Sequence, residues 1–357
     1  MTTDPAAKIV KPLPEHLMVR HDGAAETRWD SMPAQGDTPA DRFFVRNHTS
    51  TPLIDAATWT LDVFGSGLRD RPGRRDAVRF GYDELRSMPQ VTHRLLLECT
   101  GNGRRLFATQ QGETTPGTPW GLGAVGVATW TGVPLGAVLE RAGLTSSARS
   151  VLAVGLDPEY VDDGVNHGRV RRPLPVAKAL DDVLVALDMN GEPLPPDHGF
   201  PARLVVPGWV GVASIKWLGE IEVADHELSS PWSTTYYNVD DEALTELVPK
   251  SVLELAPDAE LAAGQQHRLT VRAWSGSAPV TSVEVSTDDG RSWSPADKVE
   301  DGPWSRWSYD WRPQEPGRYT VLTRATDATG NIQPSRAPSN PRGYLFGAVV
   351  RHPVQVV

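Results

Sequence analysis

Cysteine is nearly absent: a chain of 357 residues carries one, Cys99. That excludes an internal disulfide and a cysteine-rich zinc or iron–sulfur centre. There is no C-x-x-C-H stretch, so covalently attached haem is not expected. Long apolar runs are missing too, and none could span a bilayer. The opening MTTDPAAKIVKPLPEH has no apolar core of a secretory signal, so the expected location is cytoplasmic. Positive charge is in deficit, with 35 Lys and Arg against 45 Asp and Glu, a net charge of −10. This argues against a general nucleic-acid or membrane-surface binder and leaves room for a local basic pocket. No G-x-G-x-x-G or P-loop pattern follows a strand, and H-E-x-x-H and G-x-S-x-G do not occur.

Turn formers, by contrast, are plentiful, with 32 Gly and 31 Pro, which predicts many loops and more strand than helix. The length suits two domains. Residues 1–40, rich in Pro, Asp and Thr, read as an extended N-terminal arm. Residues 41–244 read as a mixed α+β domain. Its strands are expected at 58–65, 91–99, 150–157, 182–191, 203–208 and 214–225, with short helices at 81–89 and 132–143. Residues 245–357 consist of short alternating runs separated by turns such as Asp288-Asp289-Gly290, the pattern of an immunoglobulin-like β-sandwich.

Four clusters could carry chemistry. Cys99 lies in "LLLECTGNGRRL", after an apolar run. A lone cysteine is most often a small buried core residue. Here Gly101 and Gly103 permit close approach or positive φ, and Arg104 and Arg105 favour thiolate, so a nucleophile or a soft-metal ligand is also open. Arg46-Asn47-His48 follows two aromatics, and Arg46 could clamp an oxyanion. His198, Arg203 and Lys216 could together hold a dianion, although each alone reads as ordinary surface charge. "HGRVRRPLP" (167–175) reads as a basic loop in an acidic protein, either solvated or an anion funnel.

Taken in order, "FFVRNH" (43–48), "ECTGNGR" (98–104), "PWGLGAVGVATWTGVPL" (119–135), "LDMNGEPLPPDHGFPARLVVPGWVGVASIKWL" (187–218) and "VRAWSGSAPVTSVEVSTDDGRSWS" (271–294) resemble the sulfite oxidase family of molybdenum enzymes. The third carries a W-x-x-G-A-x-x-x-A-x-W-x-G pattern. The resemblance implies a domain that binds a molybdenum–molybdopterin cofactor and an immunoglobulin-like domain that makes a homodimer. It implies that the Cys99 thiolate ligates the metal and that Arg46 receives a small oxyanion substrate. Arg169 and Arg171 of the basic loop would help position that substrate. Phe44, Asn47, His48, Thr100, Gly101, Asn102, Arg104 and Ser214 would complete the cofactor pocket, with His198, Arg203 and Lys216 on the pterin phosphate. No fused haem domain is recognisable, so a separate electron acceptor is expected. Three departures stand out. The family tyrosine of a Tyr-x-x-Ser-(Ile/Leu)-Pro segment falls on Val170, and its serine on Pro173. The second substrate arginine falls near Tyr309, with Arg306 as a substitute. Gly103 stands where animal enzymes carry arginine.

Overall fold

The computed structural model describes residues 8–357, so residues 1–7 of the expected arm lie outside the described residues. The rest of that segment departs from an extended arm. Met18–His21 and Ala24–Thr27 form an antiparallel hairpin turned at Gly23, and the second strand pairs with Val45–Arg46. Asp22-Gly23 is a hairpin turn signal, with Gly23 at φ +63°, but four-residue strands are too short to show periodicity. Ala24, Ala25, Glu26 and Thr27 are buried. The Glu26 carboxylate accepts the backbone N–H groups of Gly121 (2.8 Å) and Gly123 (3.0 Å). A Cβ on Gly123 would lie 1.7 Å from the Thr27 carbonyl oxygen. Gly123→Ala is therefore expected to destabilise the protein by about 3 kcal/mol, because backbone meets backbone and neither can yield. A urea midpoint unchanged from wild type would refute this fit.

The first domain packs two sheets face to face. One runs Arg171–Pro175, Ser150–Gly155, Leu218–Ala224, Thr60–Phe64, Val78–Gly81. The other runs Glu192–Pro193, Leu184–Met189, Val125–Pro134, Val91–Glu98, with Arg203–Val205 also on Leu184–Met189. Alternate residues face the shared core: Leu61 and Val63, Val151 and Ala153, Val185 and Leu187, Ile221 and Val223. Helices Tyr82–Ser87 and Leu135–Arg141 complete it with Leu85, Val138 and Leu139. Two sequence expectations are corrected. The segment 167–175 is mostly strand, in Val165–Gly168 and Arg171–Pro175. The strand expected from Ser214 begins at Leu218, which leaves 214–217 as a loop.

The second domain is a β-sandwich. One sheet runs Lys250–Leu253, His267–Trp274, Ser305–Trp311, Asp297–Glu300, and the other Ala259–Leu261, His352–Val356, Gly317–Asp327, Val280–Ser286, Ser294–Pro295. Val271, Val283, Val285, Trp307, Val321 and Val354 fill the space between them. A further apolar cluster crosses the domain boundary. It joins Leu96, Phe107 and Val127 to Trp274, Trp304 and Phe346.

Candidate active site

Cys99 follows the strand Val91–Glu98, where the chain turns into a helix, Arg104–Gln111, that periodicity did not reveal. Cys99 N–H donates to Ala124 O (2.9 Å), and Asn102 N–H donates to Cys99 O (2.8 Å). The two glycines of the turn do different work. At Gly101 a Cβ would lie 2.7 Å from the Arg104 guanidinium and 2.9 Å from the Trp120 ring. Gly103 caps the helix at φ +87°, a conformation that suits glycine.

Cys99 lines a cavity whose empty space, mouth included, is about 770 Å³. Phe44, Arg46, Asn47, His48, Thr100, His198, Arg203, Ser214 and Lys216 line it as well. The cavity thus gathers residues from four distant stretches of sequence. Gly101, Asn102 and Arg104 do not line it. Asn102 supports the turn from behind, and Arg104 donates to Arg342 O and Thr118 O (2.9 Å each) beneath the Tyr344 ring. Arg169 and Arg171 do not line the cavity itself: they line an open groove that adjoins it at Asp157. Arg171 donates to His167 O (2.9 Å) and lies over the Trp232 ring. Arg306 and Tyr309 also lie elsewhere. Arg306 pairs with Glu254 (2.8 Å), and Tyr309 packs against the sandwich core.

The charges are arranged unusually. Lys216 donates to Asn47 Oδ1 and to Asp197 O (2.8 Å). Arg203 donates to His198 O (3.0 Å) and Ser214 O (3.1 Å) and lies over Trp130. Burial pushes Lys216 well below the ordinary lysine value, with Arg203 adding to the effect, and it brings Arg203 down to about 9. Burial, then neighbouring cations, hold His48 and His198 well below the usual imidazole range, so both are neutral at pH 7. The Cys99 thiol is pushed up by burial, with Arg104 and Arg46 opposing that shift.

Sequence reasoning missed four groups here. Asp157 is 2 % exposed and lines the cavity, and neither carboxylate oxygen has a well-formed hydrogen bond, its own N–H and that of Val170 being the donors beside it. Burial raises its pKa to about 6. Its only signal was an acid at the end of the expected strand 150–157, before Pro158. Lys11 reaches from the N-terminal segment to Ala40 O (2.8 Å) and Phe43 O (2.6 Å), near His198 Nε2 (3.3 Å). Tyr237 lines the cavity with its hydroxyl 3.1 Å from His48 Nε2 and its ring stacked on Tyr344. Arg342, from the second domain, lies 4.7 Å over the Tyr236 ring. None of the four sits in a motif that length or spacing exposes.

These residues fit a molybdopterin. A soft sulfur suits molybdenum. Buried cations suit a phosphate. The poorly satisfied Asp157 carboxylate suits the N–H edge of a pterin, since a buried acceptor without a well-formed hydrogen bond is otherwise costly. Thr100 Oγ1, also buried and without a partner, adds a hydroxyl beside Cys99.

Residues 48–232 match the family model described as oxidoreductase molybdopterin binding domain, and 242–356 match the Mo-co oxidoreductase dimerisation domain. Mitochondrial sulfite oxidase of Mus musculus is 34 % identical over 349 residues, covering 90 % of this chain and 62 % of that protein. The chain thus spans about three fifths of that relative's length. An NADH nitrate reductase of Ulva prolifera is 30 % identical, covering 84 % of this chain and 38 % of that one. The sulfane dehydrogenase SoxCD of Paracoccus pantotrophus superposes with a TM-score of 0.79 at 25 % identity, over 97 % of this chain and 88 % of that one.

Proposed function

The chain belongs to the sulfite oxidase family of molybdopterin-dependent oxidoreductases, and from that membership we propose that it binds molybdenum–molybdopterin in the Cys99 cavity and oxidises sulfite to sulfate. The observation that carries this reading is the placement of the one thiol of the chain. It shares a cavity with Arg46, the cations Arg203 and Lys216, and a carboxylate without a well-formed hydrogen bond.

When bound, the cofactor supplies an oxygen atom to sulfite and takes up two electrons. The net reaction consumes one water and releases two protons and two electrons. Cys99 sulfur would hold the metal. Arg203, Lys216 and His198 would hold the phosphate, and Asp157 the pterin. The Arg46 guanidinium would bind the oxyanion and balance its charge near the reacting sulfur. His48, kept neutral by its surroundings and facing the Tyr237 hydroxyl, offers a hydrogen bond without adding charge. Electrons would leave one at a time to a separate acceptor, and a homodimer would form through the second domain.

The test is molybdenum analysis of the purified protein beside sulfite-dependent ferricyanide reduction. About one molybdenum per chain with turnover supports the reading, and molybdenum-free protein from molybdate-fed cells overturns it. Arg46→Gln is expected to raise KM for sulfite about 10- to 100-fold, the loss of one charge-assisted contact worth ~1.5–3 kcal/mol. An unchanged KM would remove Arg46 from the substrate site.

One observation favours a second reading with the same cofactor. Val170 lines the cavity where the family tyrosine is expected, which removes a hydroxyl from the substrate space. The alternative substrates are a sulfane sulfur compound, or an S- or N-oxide in a reductive reaction. The likeness to SoxCD is consistent with this. Turnover of such a substrate by protein that ignores sulfite would select it.

A further inference from the structure

Glu98 and Cys99 are neighbours with opposite surroundings. Cys99 lines the cavity, whereas Glu98 is turned away from it towards the domain boundary and is 1 % exposed. Its carboxylate is fully engaged. Oε1 accepts from Lys250 Nζ (2.5 Å) and Asn102 Nδ2 (2.9 Å), and Oε2 accepts from Trp274 Nε1 (2.8 Å). Lys250 Nζ also donates to the Asn102 main-chain oxygen (3.1 Å). One ammonium therefore ties down the residue before Cys99 and the end of the turn that follows it. Asn102 Oδ1 in turn accepts Ala124 N–H (3.1 Å), next to the carbonyl that Cys99 N–H uses.

The clamp comes from the other domain. Lys250 and Trp274 are register partners in the sandwich, and both are buried. A buried ion pair is a poor way to gain stability, since well-packed apolar side chains of similar volume often serve as well or better. Its distinctive product is a fixed geometry, here for a five-residue turn with two glycines.

We infer that Lys250 is a positioning residue for Cys99, through which the second domain holds the cysteine turn. The inference rests on the reading of Cys99 as the metal ligand. It accounts for a charged pair placed behind that turn.

The test uses three full-length variants: Lys250→Met, Lys250→Arg, and Glu98→Gln combined with Lys250→Met. Cys99 is the sole cysteine, so iodoacetamide uptake by metal-free protein, followed by mass spectrometry, reports this one thiol. Melting temperature is measured on the same samples. Lys250→Met is expected to speed alkylation about tenfold, since the turn opens more readily once its ties are lost. Lys250→Arg, which keeps charge and donors, is expected to stay within about twofold of wild type. The double variant, which leaves no uncompensated charge, is expected to recover melting temperature while alkylation stays fast. Alkylation at the wild-type rate in Lys250→Met overturns the inference. So does a return to that rate in the double variant, which would mark the pair as a stability element alone. If Lys250→Met does not fold, the double variant decides by the same criterion. Molybdenum content of the wild type, measured separately, tests the ligand reading, so its failure is distinguishable from a failure of the clamp.

Discussion

Cys99→Ser is expected to yield a folded protein that retains little molybdenum and has lost sulfite turnover by more than ~100-fold, beyond what removal of a residue supporting a ligand causes. The side chains are nearly isosteric and Cys99 is 9 % exposed, so the melting temperature should move little. The two measurements together are the argument. Metal and turnover lost with the fold intact identify a ligand. Turnover retained with metal bound would return Cys99 to the role of a buried core thiol. A large drop in melting temperature with metal retained would do the same.

Asp157→Asn should act in opposite directions in the cofactor-free and cofactor-loaded protein. Burial lifts the carboxyl from 3.8 to about 6, so between those values the folded chain holds a proton that the unfolded chain has released. Stability therefore falls as pH rises from about 4 to about 6, and the deficit persists above that window. At pH 7 the deficit is up to about 3 kcal/mol, from a shift of about 2 units at 1.36 kcal/mol each. In cofactor-free protein the amide should recover much of this, raising the urea midpoint at pH 7 and leaving it unchanged near pH 3.5. In loaded protein the carboxylate would be matched by pterin N–H donors, and the amide should release the cofactor about tenfold faster. A variant no more stable at pH 7 than wild type would contradict the poorly satisfied carboxylate. Stability gained with cofactor release unchanged would separate Asp157 from the pterin.

The strands were readable where their chemistry is periodic. Val91–Glu98, Ser150–Gly155 and Leu184–Met189 fall inside the expected runs. The hairpin 18–27 and the helix after Gly103 were not readable. The first is too short for a pattern, and the second is eight residues long, begins with two arginines and carries few apolar side chains. In the site, residues carried by motifs, such as Arg46, Cys99 and Lys216, do converge on one cavity. Arg169 and Arg171 looked equally suitable as charges. Arg171 opens a strand that pairs with Ser150–Gly155, Arg169 lies in the bend before it, and both line the groove beside the cavity, a placement that the local sequence does not encode. Asp157, Tyr237 and Arg342 stayed invisible for the converse reason. Each gains meaning only from tertiary neighbours.

The cysteine turn also leans on the last part of the chain. Leu345 N–H donates to Thr100 O (2.8 Å), and Phe346 packs on Gly103 and on the Phe107 ring. The ribosome makes Phe346 long after Cys99, 247 residues later (346 − 99), or roughly 10–50 s at ordinary synthesis rates. A nascent chain can complete its first-domain strands and every residue that lines the cavity in that interval and still lack these contacts behind the cysteine turn. Loading of the proposed cofactor is then expected after release from the ribosome, and a chain truncated before Leu345 is expected to load less well.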